Sequence, residues 1–236
     1  IRDSVDTNFE TCLFLSSHKL AIGVYEKQSL KKLFYNEIQN NQNSSNLNHD
    51  FLNNFLEKNI FDVEKGLKDF IKNIYLIIES DKFLTIKISI KKNNYGDKIT
   101  RDKLVHLLNE AKISCKKTIG DSRITHMVID NYLIDGKNYS IFPNDLKCDL
   151  FSLDLRFICL GNDYIQNLEN VLKKYQISLK HILNADYVKS IENEDQGDLL
   201  KMSLKIIDGY NKNEVLIIPK LIKNKGFFER FFNFFS

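Results

Sequence analysis

The sequence has little net charge, few prolines and glycines, and no long apolar run. Its formal net charge is +3 and its basic and acidic residues are interspersed, so the charge does not indicate a nucleic-acid partner. The 2 prolines and 9 glycines, among many Asn, Lys and Ile residues, indicate an AT-rich coding bias rather than a function. No apolar run approaches the ~20 residues that a membrane-spanning helix needs, and nothing resembles a signal peptide. We therefore expect a cytoplasmic protein.

The cysteines lack the spacing of a metal site. Cys12, Cys115, Cys148 and Cys159 are far apart in the sequence and form no CxxC pair. Buried free thiols in a reducing compartment explain them better than metal ligands do. We expect no metal, no cofactor and no catalytic residue.

The composition is that of a globular protein. With 236 residues, 43% of them hydrophobic and 28% charged, the chain can hold one large domain or two small ones. Residue 1 is Ile rather than Met, so we expect that sequence precedes it. The mixture of strand and helix patterns predicts an α/β (α+β) fold.

Residues 124–175 predict a compact module of two strands and a helix. Residues 124–134 are rich in β-branched and apolar residues and end at the turn dipeptide Asp135-Gly136. Residues 146–160 alternate between apolar and polar in their second half, as a half-buried strand does. A helix with an Asn-Asp cap at 162–163 follows. We expect the two strands to pair and this helix to cover one face.

The remaining patterns predict single elements. Residues 11–25 predict two strands around a polar turn, and Thr100 predicts the N-cap of a helix. Residues 62–78 predict a helix, since their apolar residues share one helical face. Strands are predicted at 83–90, 179–183 and 215–219, and a helix at 199–207.

Several short motifs follow one another between residues 99 and 190. They are Ile99-Thr100, His126, Tyr132, Asp135-Gly136, Phe142-Pro143-Asn144 and Gln166-Asn167-Leu168. In this order they resemble the FtsA family of bacterial cell-division proteins. The resemblance implies a partial actin-like (ribonuclease H-like) subdomain with an inserted strand-helix-strand-strand (SHS2) module.

The same resemblance implies a phosphate-binding turn of the form Asp-Ile-Gly-Thr between the first two strands. Here the equivalent run is Phe14-Leu15-Ser16-Ser17, so Phe14 stands where the aspartate would coordinate the metal of a nucleotide. Ser16 stands where glycine lets the backbone approach phosphate. We predict a degenerate turn at Phe14, Ser16 and Ser17 that binds no nucleotide. The second phosphate turn of the family is matched only weakly, by the single glycine of residues 207–210. We therefore expect a shortened actin-like chain.

Residues 220–236 predict an amphipathic membrane-targeting tail. Its six phenylalanines fall within about 160° of arc at 100° per residue, and its cations suit an anionic membrane surface. The FtsA resemblance implies the same tether. In the alternative interpretation, the phenylalanines pack on the core of the protein itself. The predicted membrane-binding residues are Phe227, Phe228, Phe231, Phe232, Phe234, Phe235, Lys223, Lys225 and Arg230.

These predictions divide the chain into four regions. Residues 1–92 form an actin-like subdomain, 93–190 the inserted module, 191–219 a return segment and 220–236 the tail. We expect a non-enzymatic, FtsA-like scaffold of the divisome, peripheral on the cytoplasmic face of the inner membrane at the division site. The resemblance implies the tubulin-like protein FtsZ, other division proteins and self-association as its contacts.

Two alternatives stay open. One is an actin-like ATP-binding protein of division or pilus assembly, against which the sequence of the first phosphate turn argues. The other is a soluble interaction module with a buried tail.

Overall fold

The computed structural model describes residues 8–40, 49–191 and 197–216, which belong to two compact units. The first unit comprises the described residues up to Asp81 together with Asp163–Lys205, and the second comprises Lys82–Asn162 together with those from Ile206 onward. The elements in chain order are β1 (Phe9–Leu15), β2 (Lys19–Glu26), β3 (Lys32–Gln39), α1 (His49–Leu67), β4 (Asn73–Ile78), β5 (Leu84–Asn93), α2 (Arg101–Thr118), β6 (Ser122–Ile134), β7 (Lys137–Tyr139), β8 (Leu150–Gly161), α3 (Asn162–Lys173), β9 (Ser178–Asn184), α4 (Ala185–Ile191) and α5 (Leu199–Ile207).

The first unit is built on a five-stranded sheet in the order β3-β2-β1-β4-β9. Strands β1, β2 and β3 are antiparallel neighbours, whereas β4 runs parallel to β1 and β9 runs parallel to β4. The predicted fold class, a mixed α and β chain, is confirmed.

Helices α1 and α5 contact opposite faces of this sheet. The amide of Asn36 on β3 donates to the Asn59 side chain of α1 over 2.7 Å, and Leu200 of α5 lies over Gly23 on β2. Gly23 pairs with Tyr35, the neighbour of Asn36, and successive residues of a strand point to opposite faces. The sheet is therefore buried between two helices near β2.

The helix predicted at 62–78 is helical only as far as Leu67, and the prediction is wrong beyond it. Helix α1 ends at Leu67, Lys68 adopts a left-handed φ of 56°, and β4 begins at Asn73. Five of the six residues of β4 are buried, because β4 lies between two parallel neighbours. Such a strand is apolar throughout, and its short apolar run cannot be told from the face of a helix by periodicity alone.

The second unit is a four-stranded antiparallel sheet in the order β5-β8-β6-β7, with helix α2 against one face. The elements β5, α2, β6 and β8 follow one another as strand, helix, strand and strand, with the short β7 between the last two. Thr100 is the N-cap of α2, as predicted, and its hydroxyl accepts the Lys103 N–H. The helical part of the core consists of Leu104, Leu107, Leu108, Ala111 and Cys115.

The predicted pairing of two strands near residues 124 and 160 is confirmed, but the predicted covering helix is wrong. Helix α3 begins at Asn162 and buries the expected side chains, yet it belongs to the first unit. Helix α2, which precedes β6 in the chain, covers the β6–β8 pair instead. The buried residues of α3 are Ile165, Leu168, Val171 and Leu172.

The predicted turn between β6 and β7 is confirmed. Asp135 and Gly136 have φ values of 45° and 79°, which a type I′ hairpin requires at both central positions. The Asp135 carboxylate also accepts the Leu150 N–H over 2.8 Å, so the turn fixes the start of β8. No helix in the described ranges is long and apolar enough to cross a membrane.

Candidate functional site

The turn between β1 and β2 contains the residues predicted to replace a phosphate-binding turn. Ser16 and Ser17 follow β1 directly, and Phe14 is the penultimate residue of that strand. The Ser16 Oγ accepts the backbone N–H of Lys19 over 2.9 Å and that of His18 over 3.3 Å. The Ser16 N–H donates to the Lys19 carbonyl over 3.0 Å. The turn is therefore closed by hydrogen bonds of its own.

Phe14 lies beside the turn and is 7% exposed. A phenylalanine offers no oxygen to a metal ion, and the buried ring presents an apolar surface instead. Within the described ranges, no cluster of three His, Cys, Asp or Glu residues has the geometry to hold a metal ion. Phe14, Ser16 and Ser17 lie at one turn because they are near neighbours in the sequence, and their role as a degenerate phosphate turn stays a prediction.

A cleft of about 360 Å³ lies next to this turn in the first unit, lined by Phe14, Lys19, Tyr35 and Asp198 among others. Each of its cations already has an acidic partner. Lys19 Nζ lies 2.6 Å from the Glu37 carboxylate, and Lys32 Nζ lies 2.8 Å from Asp198. Lys189, the third cation of the lining, pairs with Glu79, so each cation of the cleft has a carboxylate partner although Asp198 is the acidic residue that lines it.

Asp198 is the centre of a small hydrogen-bond network in the same unit. Its carboxylate accepts the Tyr25 hydroxyl over 2.8 Å and the Lys201 N–H of α5 over 3.1 Å. Burial opposes ionisation of Asp198, but the hydrogen bonds from Lys32, Tyr25 and Lys201 together lower its pKa. Burial, together with the bond to Asp198, raises the pKa of Tyr25. An anionic Asp198 thus joins strand β2 to the start of α5.

The second unit holds a fully buried pair, His126 and Glu214. The His126 Nδ1 lies 3.1 Å from Glu214 Oε2, and both side chains are at most 1% exposed. Glu214 Oε1 accepts the N–H groups of Met127 and Leu216 over 3.1 and 3.0 Å. The Val215 N–H donates to the Met127 carbonyl over 2.8 Å, which continues the edge of β6. This segment is fastened to β6 by side-chain and backbone bonds together.

His126 is therefore a packed, hydrogen-bonded histidine. The four cysteines are free and buried, as predicted. Burial, with Cys115 nearby, raises the pKa of Cys159 to about 12, so this thiol is a poor nucleophile.

Strand β5 forms one edge of the four-stranded sheet. Its ten residues pair with β8 on one side, and no described strand pairs with the other. Lys87 and Lys91 on this strand are exposed. On the opposite side of the sheet the 213–215 segment continues the pairing of β6. Among the described strands, β5 therefore offers the long open edge of this unit.

The predicted membrane-binding residues all lie outside the described residues. These are Phe227, Phe228, Phe231, Phe232, Phe234, Phe235, Lys223, Lys225 and Arg230. The division of the chain into four regions also stays a prediction.

Sequence reasoning missed Gly23, Asp198 and Glu214. Asp198 directly precedes a predicted helix, which is a signal for an N-cap but not for a bond to Tyr25. Glu214 gives no signal, because its partner His126 lies 88 positions earlier in the chain. Gly23 is required by the close approach of Leu200, which no local pattern reveals.

Comparisons with known proteins give distant structural likenesses only. No family model and no curated protein matches the chain. One similar structure is the cytoplasmic domain of EpsL, an inner-membrane component of the type II secretion system of Vibrio cholerae, with 10% identity over 79% of this chain, 60% of that chain and a TM-score of 0.41. Another is a PilM-PilN type IV pilus biogenesis complex, with 6% identity over 76% of this chain, 48% of that chain and a TM-score of 0.46.

A third is a Bacteroides thetaiotaomicron protein with an actin-like ATPase fold and unknown function. It shows 14% identity over 78% of this chain and 83% of that chain, with a TM-score of 0.23. The chain spans 60% and 48% of the length of the first two structures. These likenesses assign neither a family nor a function.

Proposed function

We propose that this chain is a non-enzymatic, protein-binding scaffold of the FtsA type, held at the cytoplasmic face of the membrane by its C-terminal tail. The observation that carries the proposal is the closed β1–β2 turn. A phosphate-binding turn directs backbone N–H groups at its ligand. Here the Ser16 hydroxyl takes the N–H groups of His18 and Lys19.

Phe14 supports the same conclusion. A nucleotide brings a divalent cation, which needs oxygen ligands, and the ring at this position supplies none. Rebuilding the site would require a carboxylate in a position that is 7% exposed. The β1–β2 turn therefore has a structural role in this proposal, and other surfaces bind the partners.

The open edge of β5 is the surface that we assign to a partner protein. An extended segment that adds to a sheet edge gains backbone hydrogen bonds along its whole length. Strand β5 is ten residues long, and its exposed Lys87 and Lys91 favour a segment with acidic side chains. FtsZ and other division proteins are the candidates that the sequence resemblance implies.

The second candidate function is assembly of a pilus or secretion machine, with the same scaffold role. A pull-down of the tagged chain from its native membrane fraction separates the two candidates. Recovery of FtsZ supports division, whereas recovery of pilus or secretion proteins supports the second candidate.

The membrane claim is tested by co-sedimentation with vesicles. We expect the full chain to bind vesicles that contain anionic lipid and a variant without residues 226–236 to stay in the supernatant. Vesicles of neutral lipid are the control, because they remove the attraction to Lys223, Lys225 and Arg230 but keep the apolar contribution. Unchanged binding after the deletion contradicts the tether.

The absence of nucleotide binding is tested by thermal unfolding with and without ATP and Mg²⁺. A ligand present at a hundred times its Kd stabilises the folded state by about 2.7 kcal/mol. We expect no rise in Tm at millimolar nucleotide. A rise of several degrees would overturn the scaffold interpretation in favour of an ATP-binding protein.

A further inference from the structure

Strand β5 pairs with β8 in an unbroken register. Each of its ten residues, from Leu84 to Asn93, has a partner on β8, and no bulge interrupts the pairing. Asn94 continues this register, since its N–H donates to the Asp149 carbonyl over 2.7 Å. The direction of every backbone group along this edge therefore follows from one hydrogen bond.

The Asn94–Asp149 bond shows which residues of β5 face away from β8. In an antiparallel pair, every second residue directs both its N–H and its C=O at the neighbouring strand. Asn94 faces β8, so the even-numbered residues of β5 bond to β8 as well. The N–H and C=O groups of the odd-numbered residues point outward from the sheet, and these residues are Thr85, Lys87, Ser89, Lys91 and Asn93.

The hydrogen bonds on the far side of β8 agree. The Val215 N–H donates to the Met127 carbonyl over 2.8 Å, so Met127 faces away from β8 and its neighbour Val128 faces it. Val128 pairs with Arg156 of β8, and Arg156 pairs with Lys87 of β5. Because a residue in an antiparallel sheet bonds to one neighbouring strand only, Arg156 bonds to Val128 and leaves Lys87 facing outward.

The two faces of this edge carry different side chains, because successive residues of a strand point to opposite faces. The odd-numbered Lys87, Ser89 and Lys91 are exposed on the face away from α2. The even-numbered isoleucines face α2 and are half-buried against the core, and these are Ile86, Ile88 and Ile90. A strand added to this edge would therefore meet cations on one face and an apolar row on the other.

We propose that β5 binds, in antiparallel orientation, an extended segment of a partner protein with the pattern acidic, apolar, any residue, apolar, acidic. This binding mode rests on the proposed scaffold function. The central residue of the segment lies opposite Ser89, and the two acidic residues lie opposite Lys87 and Lys91. The two apolar residues lie opposite Ile88 and Ile90, where they continue the half-buried row on the α2 face.

The charge of β5 selects a segment of different sequence over a second copy of the chain. The strand contains Lys87, Lys91 and Lys92 but no carboxylate, so two copies side by side would place cations beside cations. Within the described ranges neither Lys87 nor Lys91 forms an ion pair, and Asp154 beside them on β8 accepts the Ser89 hydroxyl over 2.6 Å. Acidic side chains of a partner would supply the missing counter-charges.

Hydrogen exchange of the full chain with a synthetic peptide tests the register. The peptide is Thr-Thr-Glu-Val-Thr-Val-Glu-Thr-Thr, and its Kd is measured by fluorescence anisotropy. At ten times this Kd, we expect the amides of Lys87, Ser89 and Lys91 to exchange about tenfold more slowly, because exchange then requires the peptide-free strand. The Ile88 and Ile90 amides bond to β8 with or without the peptide and should change far less. No protection, or equal protection of both sets, overturns the proposal.

Two neighbouring lysines provide a matched pair of variants. Lys91→Glu places a carboxylate opposite the first glutamate of the peptide, and we expect it to weaken binding about tenfold. Lys92→Glu makes the same change of charge one residue later but on the α2 face, and it should alter the Kd by less than about twofold. Equal losses would show that net charge attracts the peptide without a fixed register, which contradicts the proposal.

Peptides with one reversed charge test the orientation. In an antiparallel pair the first glutamate of the peptide lies opposite Lys91 and the second lies opposite Lys87. Replacing the first glutamate by lysine should restore binding to Lys91→Glu, whereas replacing the second should not. Rescue by the second replacement instead would indicate a parallel strand and overturn the proposed register. Peptide binding is measured apart from the pull-down and the vesicle assay, so a negative result leaves the scaffold proposal standing.

Discussion

Each of the two units is fastened by a carboxylate that comes late in the chain and reaches back to a strand. In the first unit Asp198 accepts the Tyr25 hydroxyl, and in the second Glu214 accepts from His126 and Met127. The Asp198 side chain is 26% exposed, whereas that of Glu214 is 1% exposed. The carboxylate of the first unit is therefore partly exposed to water, whereas the carboxylate of the second unit is enclosed in a core.

This difference decides what happens when the carboxylate is lost. Beside Asp198, water can reach Lys32, whose side chain is 44% exposed, so the loss of that ion pair costs little. The Tyr25 side chain is fully buried, so its hydroxyl is the group that needs a replacement acceptor. Around Glu214, the buried ring of His126 and two backbone N–H groups would remain without that partner in an apolar core. The buried connection is the more costly one to break.

Replacing Glu214 by alanine has the largest expected effect. We expect Glu214→Ala to destabilise the second unit by about 3 kcal/mol, because it breaks a buried pair and leaves buried groups unsatisfied. Hydrogen exchange of the Ile129 and Val215 amides, which bond across this connection, should accelerate by about a hundredfold.

The matched control is Glu110→Ala, which removes an exposed glutamate from α2 in the same unit. It should leave exchange of these two amides unchanged. Equal acceleration in both variants would mean that the buried connection contributes no more than a surface charge.

The next effect concerns the apolar contact that closes the first unit. A Cβ added at Gly23 would lie 2.8 Å from Leu200 Cδ1 and 2.9 Å from Tyr25 Cε2. We expect Gly23→Ala to cost about 2 kcal/mol through overpacking, measured by urea unfolding. Gly161→Ala is the control, because a Cβ there meets nothing within 4 Å.

A double-mutant cycle sharpens this comparison. Leu200→Ala removes the nearer of the two side chains that an added Cβ would meet, so its combination with Gly23→Ala should cost less than the sum of the single effects. Additive costs would show that α5 does not pack on Gly23. The stability of the first unit would then depend more on the Asp198 hydrogen bonds than the 26% exposure of that side chain suggests.

Local signals in the sequence predict most of the elements but not the contacts that hold the units together. Thr100, the Asp135-Gly136 turn and the start of α3 follow from capping and turn chemistry within a few residues. The apolar run of residues 73–78 predicts a helix, because the burial that makes it strand β4 depends on β9, about a hundred residues later.

The candidate site was predictable to a similar degree. The loss of the aspartate and glycine pattern at Phe14 and Ser16 is visible in the sequence. The sequence does not predict that the Ser16 hydroxyl closes the turn. Nor does it predict that Asp198 bonds to Tyr25 or Glu214 to His126, because these partners lie 173 and 88 positions apart in the chain.

The smallest effect is expected at the exposed carboxylate, and its pH dependence is the sharpest test of the comparison. Asp198→Asn keeps an N-cap and an acceptor for Tyr25 but loses the charge that attracts Lys32, so we expect about 1 kcal/mol of destabilisation at pH 7.

The pKa of Asp198 is lowered in the folded state, so its contribution to stability is present above its ordinary pKa of about 3.9 and disappears as pH falls through the folded value. The stability difference between the protein and Asp198→Asn should therefore be constant from pH 7 to about 5 and shrink below about 4. Urea unfolding across this range measures it, and raised salt at pH 7 should reduce it because the Lys32 pair is partly exposed. A difference that stays the same at pH 3 would mean that the carboxylate acts through shape alone, and the contrast with Glu214 would then rest on packing rather than on charge.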